Sequence, residues 1–405
     1  MKKRLSILLS LVIVLSICAP ITSVMAEEAR KQSVLKTGKE IAALCNKYDN
    51  YSNSNDGDKI DNRLMVKTND NIDEYGAVDS VYGFGYAFLQ YADDESAEFA
   101  KTQYETSGYT ADYDSVITTS STSIGSGGNW SDEWAYEETD AVSALDYYKS
   151  KIKPNINIAI LDSGINYNHE LFKNRVVHTH TDFSTDASDD EMDKYGHGTN
   201  VAGAIAKSTP SNVRLSCYKI HNQNGEGTSA TALAAFEYIK QLSNKPDIIN
   251  CSFVTRSGLG TVVDELVDMG ITVVAGAGNE GKEVYQQPAI FDSAITVAAT
   301  NRYGSACGFS NYGSCVDIAA PGDYVYTADM SSNTAYEFAS GTSLATPLVS
   351  AAAAYVLMEN RKYTPEQVKQ ELIATATPFK KKFLLLWPLW CGYRKLFKYH
   401  KRHKM

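Results

Sequence analysis

Ile156–Leu161 (INIAIL) runs straight into Asp162-Ser163-Gly164, and the chain from about 130 to 378 repeats that design. Further short apolar runs lie at Arg214–Ile220 (RLSCYKI), Asp247–Ser252 (DIINCS), Ile271–Ala275 (ITVVA) and Ala294–Ala299 (AITVAA). Helix-like stretches lie between them, at Thr199–Ala206, Ala230–Leu242 and Val262–Asp268. Strands apolar on both faces, alternating with helices, predict a buried parallel sheet with helices on either side. The fold class is therefore α/β, a three-layer sandwich with a mostly parallel central sheet. Functional groups in such sheets gather just past the strand carboxyl ends.

The rest of the chain frames this unit. Its 405 residues leave room for two or three folded units at roughly 150 residues each. A composition of 43% hydrophobic and 21% charged residues excludes a largely disordered or fibrous chain. The net charge of -10 argues against a nucleic-acid or anionic-membrane binder, which needs a basic face. Seven cysteines with no CxxC or Cys/His spacing provide neither a disulfide scaffold nor a zinc site.

Residues 1–26 carry Lys2, Lys3 and Arg4, an apolar run from Leu5 to Ile17, and the end Val24-Met25-Ala26. This is the pattern of a cleaved signal peptide, so the expected location is extracellular. Residues 27–58 read as a polar helical spacer followed by a breaker-rich linker (YDNYSNSNDGD). Residues 59–118 read as a small α+β unit, with strands at Arg63–Lys67, Tyr86–Ala92 and Tyr113–Thr118 and a helix over Asp93–Ser107. A Ser/Thr/Gly-rich linker follows over 119–129, where exposed backbone would invite cleavage.

Three motifs fall at strand ends or helix starts: Asp162-Ser163-Gly164, Gly196-His197-Gly198-Thr199, and Ser340-Gly341-Thr342-Ser343-Leu344-Ala345-Thr346-Pro347. A serine hydroxyl is a poor nucleophile until a base takes its proton, and the base needs an acid group to orient it. Ser343, His197 and Asp162 fit those roles. Asn279, in Gly276-Ala277-Gly278-Asn279-Glu280-Gly281, would stabilise an oxyanion together with the backbone N–H of Ser343.

The phrases LDSGI, HGTNVAGAIA, AGNEG and SGTSLATP, in that order, resemble the subtilisin-like serine proteases over about 130–378. Residues 59–118 resemble the family's inhibitory, chaperone-like propeptide. The resemblance implies that Asp162 orients, His197 is the base, Ser343 attacks and Asn279 holds the oxyanion. It implies a substrate strand lying between Ser252-Phe253-Val254 and Gly225-Glu226-Gly227. Partners would be protein or peptide substrates and the chain's own prodomain, with no nucleic acid and no cofactor for catalysis. Val254 and Thr255 stand where the family usually has glycines, so the first specificity pocket should be narrow and favour small or slender residues. Gln286 and Glu280 are the candidates for its polarity.

Competing readings are weaker. An aspartic protease needs a second D-[ST]-G, and none occurs. The GAGNEG run matches a dinucleotide fingerprint, but KEVYQQPAIF after it has no helical period. Gly341–Ala345 nearly matches the hydrolase elbow, with Ala345 in place of the final glycine. The reading from another class is a secreted, catalytically silent binding scaffold disabled by its altered C-terminus.

Asn200 and Leu348 stand where many family members have histidine, and Leu344 stands for methionine. Glu170 replaces a common calcium-ligand aspartate, and the connection Lys207–Asn212 is short for the usual calcium loop. No metal site is therefore assigned, and structural calcium elsewhere is left open. His169, His178, His180 and His221 read as surface or loop residues. Cys217 and Cys251 read as buried thiols, while Cys307 and Cys315 could bridge a loop under oxidising conditions. The tail over 379–405 is basic and aromatic, lacks acidic residues, and is too short in its apolar run to span a bilayer. It reads either as a surface anchor touching envelope polymers or lipid, or as a frameshifted end, with the second preferred.

Overall fold

The computed structural model of the chain describes residues 32–33, 35–48, 59–119, 122–124, 131–148, 151, 153–179, 181–184, 186, 190–378 and 394–395. The stretch over 1–26 read as a signal peptide, His180 and most of the tail fall outside these residues.

The N-terminal half begins with a helix, α1, over 35–48. An antiparallel sheet follows, built from β1 (Lys59–Lys67), β2 (Asp79–Gly83), β3 (Tyr86–Gln90) and β4 (Ala111–Thr119). Helix α2 (Asp94–Thr106) packs on one face; the Asp93 side chain caps it by accepting from Ser96 N at 2.8 Å. Alternation along β1 divides the sheet. Leu64 and Val66 join Leu89, Ala97, Ala100 and Tyr104 in a small core of their own. Met65 faces the other way and shares a buried cluster with the C-terminal half.

After β5 (Thr122–Ile124) and the short helices α3 (Trp134–Glu138) and α4 (Ala141–Tyr148), the alternating pattern starts. It runs β6 (Ile156–Asp162), α5 (His197–Ser208), β7 (Val213–Lys219), β8 (Gly227–Thr228), α6 (Ser229–Gln241), β9 (Ile248–Cys251), β10 (Phe253–Val254), α7 (Val262–Asp268) and β11 (Thr272–Gly276). Strands β12 (Ile295–Thr300), β13 (Ile318–Pro321), β14 (Val325–Ala328) and β15 (Tyr336–Ser340) follow, then α8 (Thr342–Glu359) and α9 (Pro365–Thr375).

The sheet order β13-β12-β11-β9-β6-β7 is parallel throughout. Its strand order reverses between β6 and β9, the crevice where open α/β sheets carry their sites. Each predicted apolar run became one of these strands. Both faces are covered: Ile156, Ile158 and Ile160 of β6 enter one core with α5 and α8, whereas Ala159 and Leu161 enter the other with α6. Helix α8 is buried on nearly every side, which suits its mostly apolar or small side chains. A capping box between Thr364 and Gln367, with Pro365 in the first turn, starts α9.

The structure corrects two expectations. The 35–48 segment is helical as expected, but it is no polar spacer: Ile41, Leu44 and Cys45 are buried. His169 and His221 are buried rather than surface residues. Cys307 and Cys315 are both free thiols. In the tail, Arg394–Lys395 (β17) pairs with β13 and with Thr377–Pro378 (β16), at the edge of the main sheet. Among the described residues no helix is long and apolar enough to cross a membrane.

Candidate active site

Asp162 is the last residue of β6, His197 the first of α5, and Ser343 lies in the first turn of α8. All three are buried. Asp162 Oδ1 lies 2.7 Å from His197 Nδ1 and also accepts from Ser163 N at 2.8 Å. Close approach of α5 to the loop after β6 requires the glycine beside the histidine. A Cβ on Gly198 would lie 2.0 Å from the Gly164 carbonyl oxygen.

Sequence reasoning missed Asp193, which sets the start of α5. Its Oδ1 accepts from Gly196 N at 2.8 Å and from Ser163 Oγ at 2.9 Å; its Oδ2 accepts from Thr199 N at 2.9 Å and Thr199 Oγ1 at 2.6 Å. This carboxylate lies at the positive end of the helix and holds His197 in place. The signal available was an aspartate four positions before a helix-opening histidine.

Ser343 Oγ donates to the Ser252 carbonyl at 3.0 Å, and Ser252 Oγ donates back to the Ser343 carbonyl at 2.9 Å. Asn250 Nδ2 supports Ser252 Oγ at 2.9 Å. His197 Nε2 is buried with no hydrogen-bond partner. The serine hydroxyl thus rests on Ser252, between β9 and β10, rather than on the imidazole, a bond that catalytic sites often make only once substrate is seated. Asn279 Oδ1 accepts from Thr342 N at 2.8 Å, so the donor nitrogen of its amide is directed away from that contact.

The expected substrate-lining strands are brought together, and a strand of the N-terminal half lies between them. Phe253 and Val254 of β10 pair antiparallel with Thr119 and Thr118 of β4. Gly227 and Thr228 of β8 pair with Ile117 and Val116. Gly225 is not in this pairing; it turns the loop before β8 with φ +79°. Strand β5 continues beyond the cleft, with Thr122 opposite Ser340 of β15.

Val254 and Thr255 are buried, and Thr255 exchanges two 2.8 Å backbone hydrogen bonds with Gln287. Glu280 is held by Asn311, whose Nδ2 donates to Glu280 Oε2 at 2.5 Å, while Gln286 Nε2 reaches Glu280 Oε1 at 3.5 Å. Away from the cleft, Glu170 Oε1 accepts from the Tyr336 hydroxyl at 3.1 Å, and Asn200 Nδ2 bonds the Ala328 carbonyl and Glu337. Among the described residues no group of three or more His, Cys, Asp or Glu side chains could hold a metal.

Residues 153–393 match the subtilase family. The chain belongs to that family. Among curated subtilases, the extracellular serine proteinase of Thermus sp. (strain Rt41A) is 35% identical over 229 residues, covering 55% of this chain and 55% of that protein. Subtilisin DY of Bacillus licheniformis is 35% identical over 238 residues, covering 55% of this chain and 84% of that one. A solved structure, that of a cold adapted subtilisin-like serine proteinase, superposes with a TM-score of 0.55 at 30% identity, over 60% of this chain and 89% of that chain. The chain spans about half the length of the first such relatives, 55% and 50%. The subtilase fold is the α/β sandwich that the apolar runs implied.

One group beside the site has a pH consequence. His221 is fully buried beneath Gly227 and 6.3 Å from the Phe253 ring, with neither ring nitrogen partnered. Burial lowers its pKa to about 4, with His197 adding to the shift and Asp162 and Asp193 opposing it. Between that value and the ordinary one near 6.5, the unfolded chain binds the proton that the folded chain refuses. Stability is therefore complete above about pH 6.5 and falls, by about 3 kcal/mol in all, as pH drops towards 4. In a Ser343→Ala chain, urea midpoints at pH 7.5 and 4.5 should differ clearly less once His221→Leu is added. An undiminished difference would contradict this assignment.

Proposed function

We propose that the chain is a secreted serine endopeptidase made as an autoprocessed zymogen. Ser343 Oγ attacks the carbonyl carbon of a peptide bond as His197 Nε2 takes its proton, with Asp162 fixing the ring. The Asn279 amide and the Ser343 N–H hold the oxyanion. Collapse expels the amine, which leaves with the proton from His197; water then hydrolyses the acyl-enzyme. No cofactor enters this chemistry.

One observation carries the reading: an extended strand, β4, is paired on both sides by β8 and β10 beside the Asp162–His197 pair. That is how a cleft holds a peptide by strand addition. Thr119 pairs next to Ser252, and Thr122 pairs three positions before Ser343, so the two flank the serine. Cleavage between them would free the catalytic domain, leaving the N-terminal half as its inhibitor. The residues at that junction, Thr119, Ser120 and Ser121, are small, in keeping with a pocket narrowed by Val254 and Thr255. Export is supported by a relative named as an extracellular serine proteinase.

A fluorophosphonate probe, followed by mass spectrometry of the purified protein, tests the whole reading. The adduct is expected on Ser343, in a chain beginning at residue 120, 121 or 122. A folded, full-length chain without adduct would favour the silent scaffold instead.

A further inference from the structure

The N-terminal half holds a second contact that neither the triad nor the cleft strand requires. Helix α1 does not complete the small core of that half, since none of its residues enters the cluster around Leu64, Val66 and Tyr104. Its apolar residues Ile41, Leu44 and Cys45 join instead the shared cluster in which Met65, Tyr86, Phe88 and Ile117 of the N-terminal half meet Phe183, Tyr218 and Tyr238 of the other half. The approach is close: a Cβ on Gly38 would lie 2.5 Å from the Phe183 ring. Cys45 Sγ lies 3.6 Å from Thr228 Oγ1, in the cleft strand β8 itself.

The other side of α1 is tied to its own half. Lys47 Nζ and the Tyr48 hydroxyl donate to Asp79 Oδ2 at 2.6 and 3.1 Å, and a Cβ on Gly83 would meet the Thr37 methyl at 2.2 Å. The helix therefore bridges the seam between the two halves, apart from the β4 pairing.

We propose that the surface around Phe183, Tyr218 and Tyr238 is an exosite for α1, a further anchor of the N-terminal half on the catalytic domain beside the β4 pairing and the sheet contacts of Met65 and Asp114. The inference rests on the zymogen reading only in that the two halves become separate chains. Separate anchors on one folded body multiply their affinities, so losing one speeds release far more than that contact's size suggests. Departure of α1 would leave an apolar patch beside the cleft, open to other amphipathic helices.

The test uses the full chain with Ser343→Ala, so that self-cleavage plays no part. A recognition sequence for a sequence-specific protease is placed within 125–130, the chain is cut there, and release of the N-terminal half is followed after dilution. Leu44→Asp and Phe183→Ala are each expected to speed release at least tenfold. The double variant should release no faster than the quicker single one, because both break the same contact. Should Leu44→Asp not fold, Gly38→Leu replaces it by driving a side chain into the Phe183 ring. Phe183 also packs edge-on against Tyr238, with ring centroids 5.6 Å apart, so the urea midpoint of the separated catalytic domain carrying Phe183→Ala is measured beside its release rate, and Leu44→Asp, which leaves that domain unchanged, decides the result. Release from these variants at the parent's rate would overturn the exosite. Failure of probe labelling at Ser343 would leave this result standing, so the two readings fail separately.

Discussion

Asp162→Ala is expected to lower kcat on the order of 10⁴-fold with little change in KM, the size recorded for loss of the triad aspartate in a subtilisin. The carboxylate is fully buried and lies 2.7 Å from His197 Nδ1, so nothing from solvent can take over its role. Without it, the imidazole has no group to fix its tautomer or to stabilise the cation formed when Ser343 loses its proton. Self-processing should fail as well, so the variant must be cut in the 125–130 segment by an added protease before assay. The same carboxylate accepts from Ser163 N, and alanine leaves that buried amide unpaired, at about 1–3 kcal/mol. Asp162→Asn separates the two effects: its oxygen can keep the Ser163 bond and restore stability, while activity stays low. A kcat within tenfold of the parent in either variant would remove Asp162 from the mechanism.

What the sequence made legible follows from how local each signal is. The parallel sheet was readable because strands buried on both faces are nearly continuous apolar runs, and α7 matches its predicted span, Val262–Asp268. The candidate trio of Asp162, His197 and Ser343 could be picked out because each member sits in a short glycine-containing motif at an element boundary. Strands β2, β14 and β15 were not. Asp79–Gly83 and Tyr336–Ser340 are half polar, and each is defined by a partner strand rather than by its own pattern. His221 ends an apolar run and gives no local sign of burial, which Gly227 and Phe253 impose from elsewhere in the chain. His169 accepts from Leu171 N and contacts the Ala335 carbonyl, a role set by a loop far along the sequence. In α1, an apolar face of Ile41, Leu44 and Cys45 is easily lost among lysines and glutamate.

Asp114→Ala should destabilise the uncleaved chain by about 3–5 kcal/mol, the range for breaking a buried ion pair by removing one partner. The Asp114 and Arg63 side chains are both fully buried, with Arg63 Nη1 2.9 Å from Asp114 Oδ2 and Arg63 Nε donating to Gln90 Oε1 at 3.0 Å. The second oxygen crosses the seam: Asp114 Oδ1 accepts from Ser229 Oγ at 2.7 Å and from Ala230 N at 3.0 Å, in the first turn of α6. One carboxylate therefore compensates a buried guanidinium from β1 and caps helix α6 of the subtilase-family half. Alanine removes both roles, leaving the Arg63 charge desolvated without the carboxylate that faced it. Arg63→Met with Asp114→Leu should recover most of the loss, because similar volume is kept with no buried charge. The missing cap would still cost about 1 kcal/mol. Urea unfolding of the Ser343→Ala chain measures all three variants. The C-terminal half separated from each by an added protease has the parent's sequence, so its own unfolding must not change. A loss below 1 kcal/mol for Asp114→Ala would mean that Arg63 finds compensation elsewhere and that the carboxylate does not hold the seam.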